Sequence, residues 1–285
     1  MQLNTHLIKV LTTPTDEIFD YLEQYLIEDR GYVTYAHSEE SYLVMGPADI
    51  SQVGVALVAH VDTVGDVNHK LPTVYSNITD PDYLASAGTC CLDDRNGVAL
   101  ITSRMGTDAM LIFLKGEEVG CMGAIALSED YPELEMIFGP DNALQCLIEV
   151  DRKGINEVVF YDLDYPEFEN LFLTKYEKNI SHAWTDITVL GPMWNIAAAN
   201  VSAGYYKEHT DYEHTSLEDL ETAFIKLRHM VFRFNGRVSR NFPPFEYRGK
   251  SSTCCMLLMS YSYEEPEVFE PLPFDETVPL PAGLP

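Results

Sequence analysis

Three short apolar runs, at residues 53–59, 109–115 and 144–150, each stop at side chains of one chemical kind: His60 and Asp62, Glu117 and Glu118, Asp151. Near-continuous apolar runs of this length read as strands buried on both faces, the pattern of a parallel sheet. Helical stretches separate them, which implies βαβ connections, and in such sheets the ligand site lies beyond the carboxyl ends of the strands. The expectation is an α/β fold: a three-layer αβα sandwich with a mixed, mostly parallel central sheet. Side chains two apart on a strand share a face. His60 and Asp62 therefore point the same way, so one can bind a metal while the other orients it.

The remaining pattern fills in around that sheet. Thr13-Pro14-Thr15-Asp16 resembles a capping box and predicts an amphipathic helix over 14–29, ending near Gly31. The segments YVTYA and SYLVM read as paired strands, and residues 64–89 as a loop over the site or an edge hairpin. Leu92 to Asn96 opens a helix with two acids in its first turn. Further on, EVVFYDL and ENLFLTKYE look like strand and helix, SHAWTDITVL leads into a loop, and Asn200–Tyr206 reads as strand and turn. The last periodic helix runs from Ser216 to about Phe234. Residues 1–250 are expected to form one catalytic domain. Residues 251–285, acidic, proline-rich and without a single basic residue, read as an extended or disordered extension.

Charge narrows the function. Forty-five acidic against eighteen basic residues give a net charge of −27, which argues against nucleic acid, whose phosphates need Lys and Arg. No cationic and apolar leader opens the chain and no apolar run reaches membrane-spanning length, so a soluble, cytoplasmic protein without a membrane partner is expected. The six cysteines, Cys90, Cys91, Cys121, Cys146, Cys254 and Cys255, show no C-x-x-C spacing and read as reduced and structural.

The candidates for chemistry are His60, Asp62, Asp93, Glu117, Glu118, Asp151 and His209. A hydrolytic metal pair needs a bridging carboxylate, terminal ligands on each ion and a free carboxylate to take a proton from water. This set supplies each part. Imidazoles with carboxylates favour zinc, with cobalt or manganese as substitutes. The order H-x-D, D-D-R, G-E-E-x-G, E-V-D and a late H-T-x-x-E is far more specific than any one member.

In that order the chain resembles the co-catalytic di-zinc metallopeptidases of the M20, M28 and M42 families, from about Leu11 to Leu227. The resemblance implies a zinc-exopeptidase (phosphorylase/hydrolase-like) fold and two metal ions. It makes His60 a ligand with Asp62 behind it, Asp93 the bridging acid, Glu117 the general base, Glu118 a terminal ligand, Asp151 the partner of His60, and His209 the partner of Glu118. His214 also fits H-[ST]-x-x-E. The family's spacing from ligand to last helix favours His209, and His182 is a more remote spare. Only 58 residues separate Asp151 from His209 and 31 separate Asp62 from Asp93. That leaves no room for the lid or dimerisation insert of the larger relatives, so a single-domain plan is expected.

The implied activity is aminopeptidase hydrolysis of a peptide with a free amino terminus. The carboxylate-rich rim suits an α-amino group, and Lys and Arg are sparse near the motifs. A deacylase or amidohydrolase of N-acylated small molecules uses the same metals, and a non-catalytic binding protein on the same fold is the reading from another class. Self-association into a homo-oligomer stays open. Tyr205, Tyr206 and Trp184 are candidates for either pocket lining or core. Lys115 and Arg95 have no role to assign, and the plain reading of Arg95 is a pairing with a carboxylate.

Overall fold

The structure, a computed structural model, describes residues 5–64, 74–76, 83–86, 91–103, 108–140, 142–161, 163–181, 183–240 and 242–249. His182, Cys90, Cys254, Cys255 and the expected acidic extension at 251–285 lie outside the described residues. Residues 1–251 form one compact unit.

The chain opens with α1 (Thr5–Thr12) and α2 (Ile18–Arg30). The sequence pattern placed one helix at 14–29, but the expected cap does not form. Thr13 Oγ1 instead donates to Lys9 O at 2.7 Å and closes α1, and α2 starts four residues later without a side-chain cap. Gly31, at φ +65, ends α2 in the left-handed conformation that only glycine takes freely. The hairpin β1 (Val33–Ser38) and β2 (Tyr42–Gly46) follows, then β3 (Val55–His60).

Two short strands, β4 (Val74–Ser76) and β5 (Tyr83–Ser86), pair antiparallel where a loop or hairpin was expected. After them come α3 (Leu92–Thr102), β6 (Met110–Leu114), α4 (Met122–Asp130), α5 (Leu134–Phe138), β7 (Cys146–Arg152), β8 (Glu157–Val159), α6 (Pro166–Phe172) and β9 (Glu177–Lys178). The chain continues with α7 (Asp186–Met193), β10 (Ala198–Ser202), β11 (Tyr205–Tyr206), β12 (His214–Ser216) and α8 (Leu217–Val238). Helix α7 covers DITVL, the run expected to lead into a loop, and extends three residues beyond it. Thr185 caps it through a reciprocal bond with Thr188, and Pro192, which cannot donate to the carbonyl four residues back, stands one residue before the helix ends.

Eight strands form the main sheet in the order β1-β2-β6-β3-β7-β10-β8-β9. Pairing is parallel for β6·β3, β3·β7, β7·β10 and β8·β9, and antiparallel for the other three neighbours. Alternation along the strands sorts side chains into two layers. Leu57, Ala59, Leu111, Phe113, Ile148 and Val150 pack in a core shared with α1, α2, α3, α6 and α8. Ala56, Val58, Ile112, Leu114 and Leu147 pack in a second core under α4, α5 and α7. The result is the expected αβα sandwich, and β11-β12-β5-β4 adds a small antiparallel sheet. No helix among the described residues is long and apolar enough to cross a membrane.

Candidate metal centre

Every sequence-selected group arrives at one edge of the main sheet because the parallel strands β3, β6 and β7 all end there. His60 closes β3 and Asp62 lies just beyond it. Asp93 sits in the first turn of α3, with a cis peptide bond between it and Asp94. Glu117 and Glu118 occupy the turn after β6, and Asp151 falls in the last turn of side chains of β7. His209 comes from the β11–β12 loop at φ +57, a left-handed conformation costly for a non-glycine residue and typical of functional sites.

The side chains converge. His60 Nε2 stands 3.4 Å from Asp93 Oδ1, 3.6 Å from Asp151 Oδ1 and 4.0 Å from Glu117 Oε2. His209 Nε2 stands 3.1 Å from both Asp93 Oδ2 and Glu118 Oε1. One oxygen of Asp93 thus faces each histidine. Donor atoms of His60, Asp93 and Glu118 lie within 4.8 Å of one another. All the donors are nitrogen or oxygen, a set that suits zinc, cobalt or manganese. Of the two late histidines, His214 lies apart in β12, where it is stacked between Tyr83 and Tyr206 with ring centroids 5.3 and 5.4 Å away.

Supporting contacts orient these groups. Asp62 accepts the backbone N–H groups of Gly116, Glu117 and Glu118 at 2.7, 3.3 and 3.2 Å, so it holds the whole glutamate turn. The His60 Nδ1 atom lies 3.0 Å from the Asp62 carbonyl oxygen, which leaves Nε2 facing the site. Buried Glu213 accepts the N–H groups of Leu92 and Asp93 at 2.9 and 3.2 Å and fixes the start of α3. Thr185 Oγ1 donates to Asp151 Oδ2 at 3.3 Å. Sequence reasoning assigned no role to Glu213 or Thr185; the fourth-residue spacing of Glu213 from His209 was the available signal.

Arg95, left without a role by the sequence, is a structural tie. Its fully buried guanidinium donates to the carbonyl oxygens of Val61, Val10 and Thr13 and to Thr15 Oγ1. It ties the amino-terminal helices to the chain between His60 and Asp62. Lys115, unassigned from sequence, lies over the Phe19 ring and donates to Glu39 O.

Electrostatics follow from burial and mutual charge. Burial opposes a charged His60, but hydrogen bonds with Asp151, Asp62 and Asp93 outweigh it and raise its pKa well above the ordinary value. Burial likewise opposes ionised Asp93, yet the hydrogen bonds with His209 and His60 hold its carboxyl well below the usual range. Hydrogen bonding to Asp93, partly offset by burial, raises His209 to about 9. Glu117 is pushed up to about 9 by burial, helped by the charges of Asp151 and Asp186. Burial and the Asp93 charge also raise Asp151, and burial raises Glu118. These shifts describe a cage of carboxylates short of positive charge, the condition that bound cations relieve.

A pocket of about 440 Å3 opens over the cage. Half-exposed Trp184 and the buried Tyr205 line it, while Tyr206 does not. Arg152 and Lys153 also line it, although the linear motifs made cations look sparse there. Lys153 Nζ pairs with Glu208 at 2.6 Å across the wall.

No family model matches the sequence, and no curated protein matches it. Solved structures do. The chain is similar to the aminopeptidase PepT from Bacillus cereus, at 12% identity and a TM-score of 0.60, over 81% of this chain and 97% of that one. It is similar to the TET1 peptidase of Pyrococcus horikoshii, which can assemble into a tetrahedron or a large octahedral shell, at 13% identity and a TM-score of 0.54, over 79% and 98%. A Zn-dependent exopeptidase from Parabacteroides distasonis matches at 13% identity and a TM-score of 0.52, over 80% and 95%. With its strands, layers and site edge laid out in this way, the chain has the α/β fold of these peptidases.

Proposed function

We propose that this protein is a di-metal hydrolase that removes amino-terminal residues from peptides. The observation that carries the reading is Asp93, whose two carboxylate oxygens face His60 on one side and His209 on the other. In this reading His60, Asp151 and Asp93 hold one divalent ion, and His209, Glu118 and Asp93 hold the second. Zinc is the ion of choice, with cobalt and manganese able to replace it.

When bound, two such ions supply a water acidified toward neutral pH and a Lewis acid for the scissile carbonyl. Glu117 would accept a proton from the attacking water and pass it to the leaving amine, a general acid–base role. Burial and its carboxylate neighbours favour the protonated form in the metal-free protein; the positive charge of bound cations acts in the opposite sense. Asp62 keeps the glutamate turn in place through its three backbone contacts. Glu208, the lining acid not assigned to an ion or to proton transfer, is the candidate to receive the free α-amino group in place of Lys153. Assembly into a homo-oligomer fits the behaviour of the TET1 peptidase. Among the described residues, the buried thiols of Cys121 and Cys146 suit a reducing compartment such as the cytoplasm.

Arg152 and Lys153 in the pocket wall favour one second reading, a deacylase whose N-acyl amino acid substrate ends in a carboxylate. Turnover of free and N-acetylated dipeptides, with added zinc, cobalt or manganese, separates the two. An aminopeptidase cleaves only the free form; cleavage of the acetylated form alone establishes the deacylase. E117Q should lower kcat by about 10²–10⁴-fold while metal analysis finds the ions retained. Purified protein that holds less than one ion per chain and cleaves neither substrate would overturn both readings and leave a binding protein.

A further inference from the structure

The two halves of the cage are built to different standards. On the His60 side, the hydroxyl of Tyr205 reaches Asp93 Oδ1 at 3.0 Å, Asp151 Oδ1 at 3.1 Å and the Asp151 carbonyl at 3.1 Å. Its ring is anchored in the main core at 2% exposure. The two carboxylate oxygens it touches are the pair that faces His60 Nε2. Asp151 is held elsewhere too: Thr185 Oγ1 donates to Oδ2, and the Asp151 N–H donates to Asn200 Oδ1 at 3.0 Å. On the other side, Asp93 Oδ2 and Glu118 Oε1 meet His209, whose side chain is 48% exposed on a loop.

We propose that Tyr205 is a positioning residue that builds the His60-side ion position ahead of the other, so that the two ions bind with unequal affinity, the tighter one on the His60 side. The proposal rests on the di-metal reading. Two anionic oxygens so close repel in the absence of a cation. A phenol carries one proton, and placed between them it offsets that repulsion and keeps both oxygens in register for an ion. An ion entering this half meets ligands already ordered, so less conformational freedom is lost on binding. His209 must be ordered as its ion arrives. Removing such an outer partner costs about 10–100-fold in metal affinity.

The experiment is a titration of metal-free protein with Co2+ and with Zn2+, followed by calorimetry and, for Co2+, by visible absorption. Wild-type protein should take up ions in a tight and a weak step. H209A should lose the weak step and keep the tight one. Y205F, which deletes only the hydroxyl, should weaken the tight step by about 10–100-fold, alter the first Co2+ spectrum and leave the weak step unchanged. The proposal is overturned if Y205F leaves both steps as in the wild type, if it weakens both alike, or if H209A abolishes the tight step. Melting of metal-free Y205F checks its fold. Should that variant not fold, the wild type still decides: the first equivalent of Zn2+ must produce a tyrosine ultraviolet difference spectrum, and its absence overturns the proposal. Wild-type protein that binds no ion overturns the di-metal reading as well, whereas two steps indifferent to Tyr205 sink this inference alone.

Discussion

Asp62 organises the site without facing its centre. Three consecutive N–H groups, those of Gly116, Glu117 and Glu118, point at its carboxylate. D62A releases the turn that carries both glutamates, and turnover should fall by about 10–100-fold, read as kcat in the presence of saturating zinc. Arg95 is the structural counterpart. R95A strips three backbone carbonyls of their donor and empties the volume of a fully buried side chain. A loss of about 3–5 kcal/mol is expected, the usual cost of breaking a buried charged network, measured by urea unfolding. Asp186 bears on pH. Burial, with the charges of Asp62 and Asp151, raises its carboxyl to about 8 against the opposing effects of His60 and Cys121. A raised acid favours the folded state below its unfolded pKa near 4 and loses that advantage as pH climbs through about 8. Metal-free protein should therefore melt lower as pH rises across that window, and D186N should flatten the profile. A D186N profile as steep as that of the wild type would contradict the assignment.

Helix α3 shows how closely the elements must approach to bring the ligands together. A Cβ on Gly97 would lie 2.1 Å from Val150 O and 2.3 Å from the Asp94 carboxylate, so the helix that carries Asp93 lies directly against the strand that carries Asp151. G97A should cost about 1–3 kcal/mol or more through overpacking and should weaken metal binding, because Asp93 and Asp151 separate; equilibrium dialysis with zinc is the check. Gly97 also marks what was legible in sequence. The apolar runs that became β3, β6 and β7 were readable because burial on both faces keeps them almost wholly apolar, with Gln145 and Glu149 the buried exceptions in the third run. The groups at their ends were readable because chemistry of this kind belongs at that edge. Helices α1 and α7 were not, since both are short and their caps depend on partners that a linear pattern does not show: Lys9 O for Thr13, and a threonine in place of the usual acid for Thr185. Tyr205, Thr185, Arg152 and Lys153 became part of the site only through the topology that folds β11, α7 and the end of β7 around it.

At the scale of the molecule, the carboxylate cage couples metal to stability. A net charge of −27 with carboxylates gathered at one edge leaves the metal-free protein under internal repulsion. Zinc at a hundred times its dissociation constant should raise stability by about 2.7 kcal/mol for each independent site, seen as a higher Tm that chelator reverses. An unchanged Tm would mean that the folded state binds no metal.

The placement of His209 has a further consequence at synthesis. A ribosome releases the chain from the amino terminus, and Asp151 emerges 58 residues ahead of the imidazole that completes the second half of the cage. Glu213, four positions later, is needed to steady the start of α3. A polypeptide that ends before His209 therefore lacks one of the side chains that meet Asp93 and Glu118, and the Glu213 contacts that hold the start of α3. On the proposed di-metal reading, that order leaves the site incomplete until the late part of the chain has joined the fold, so assembly of the site is the last event of folding and not the first.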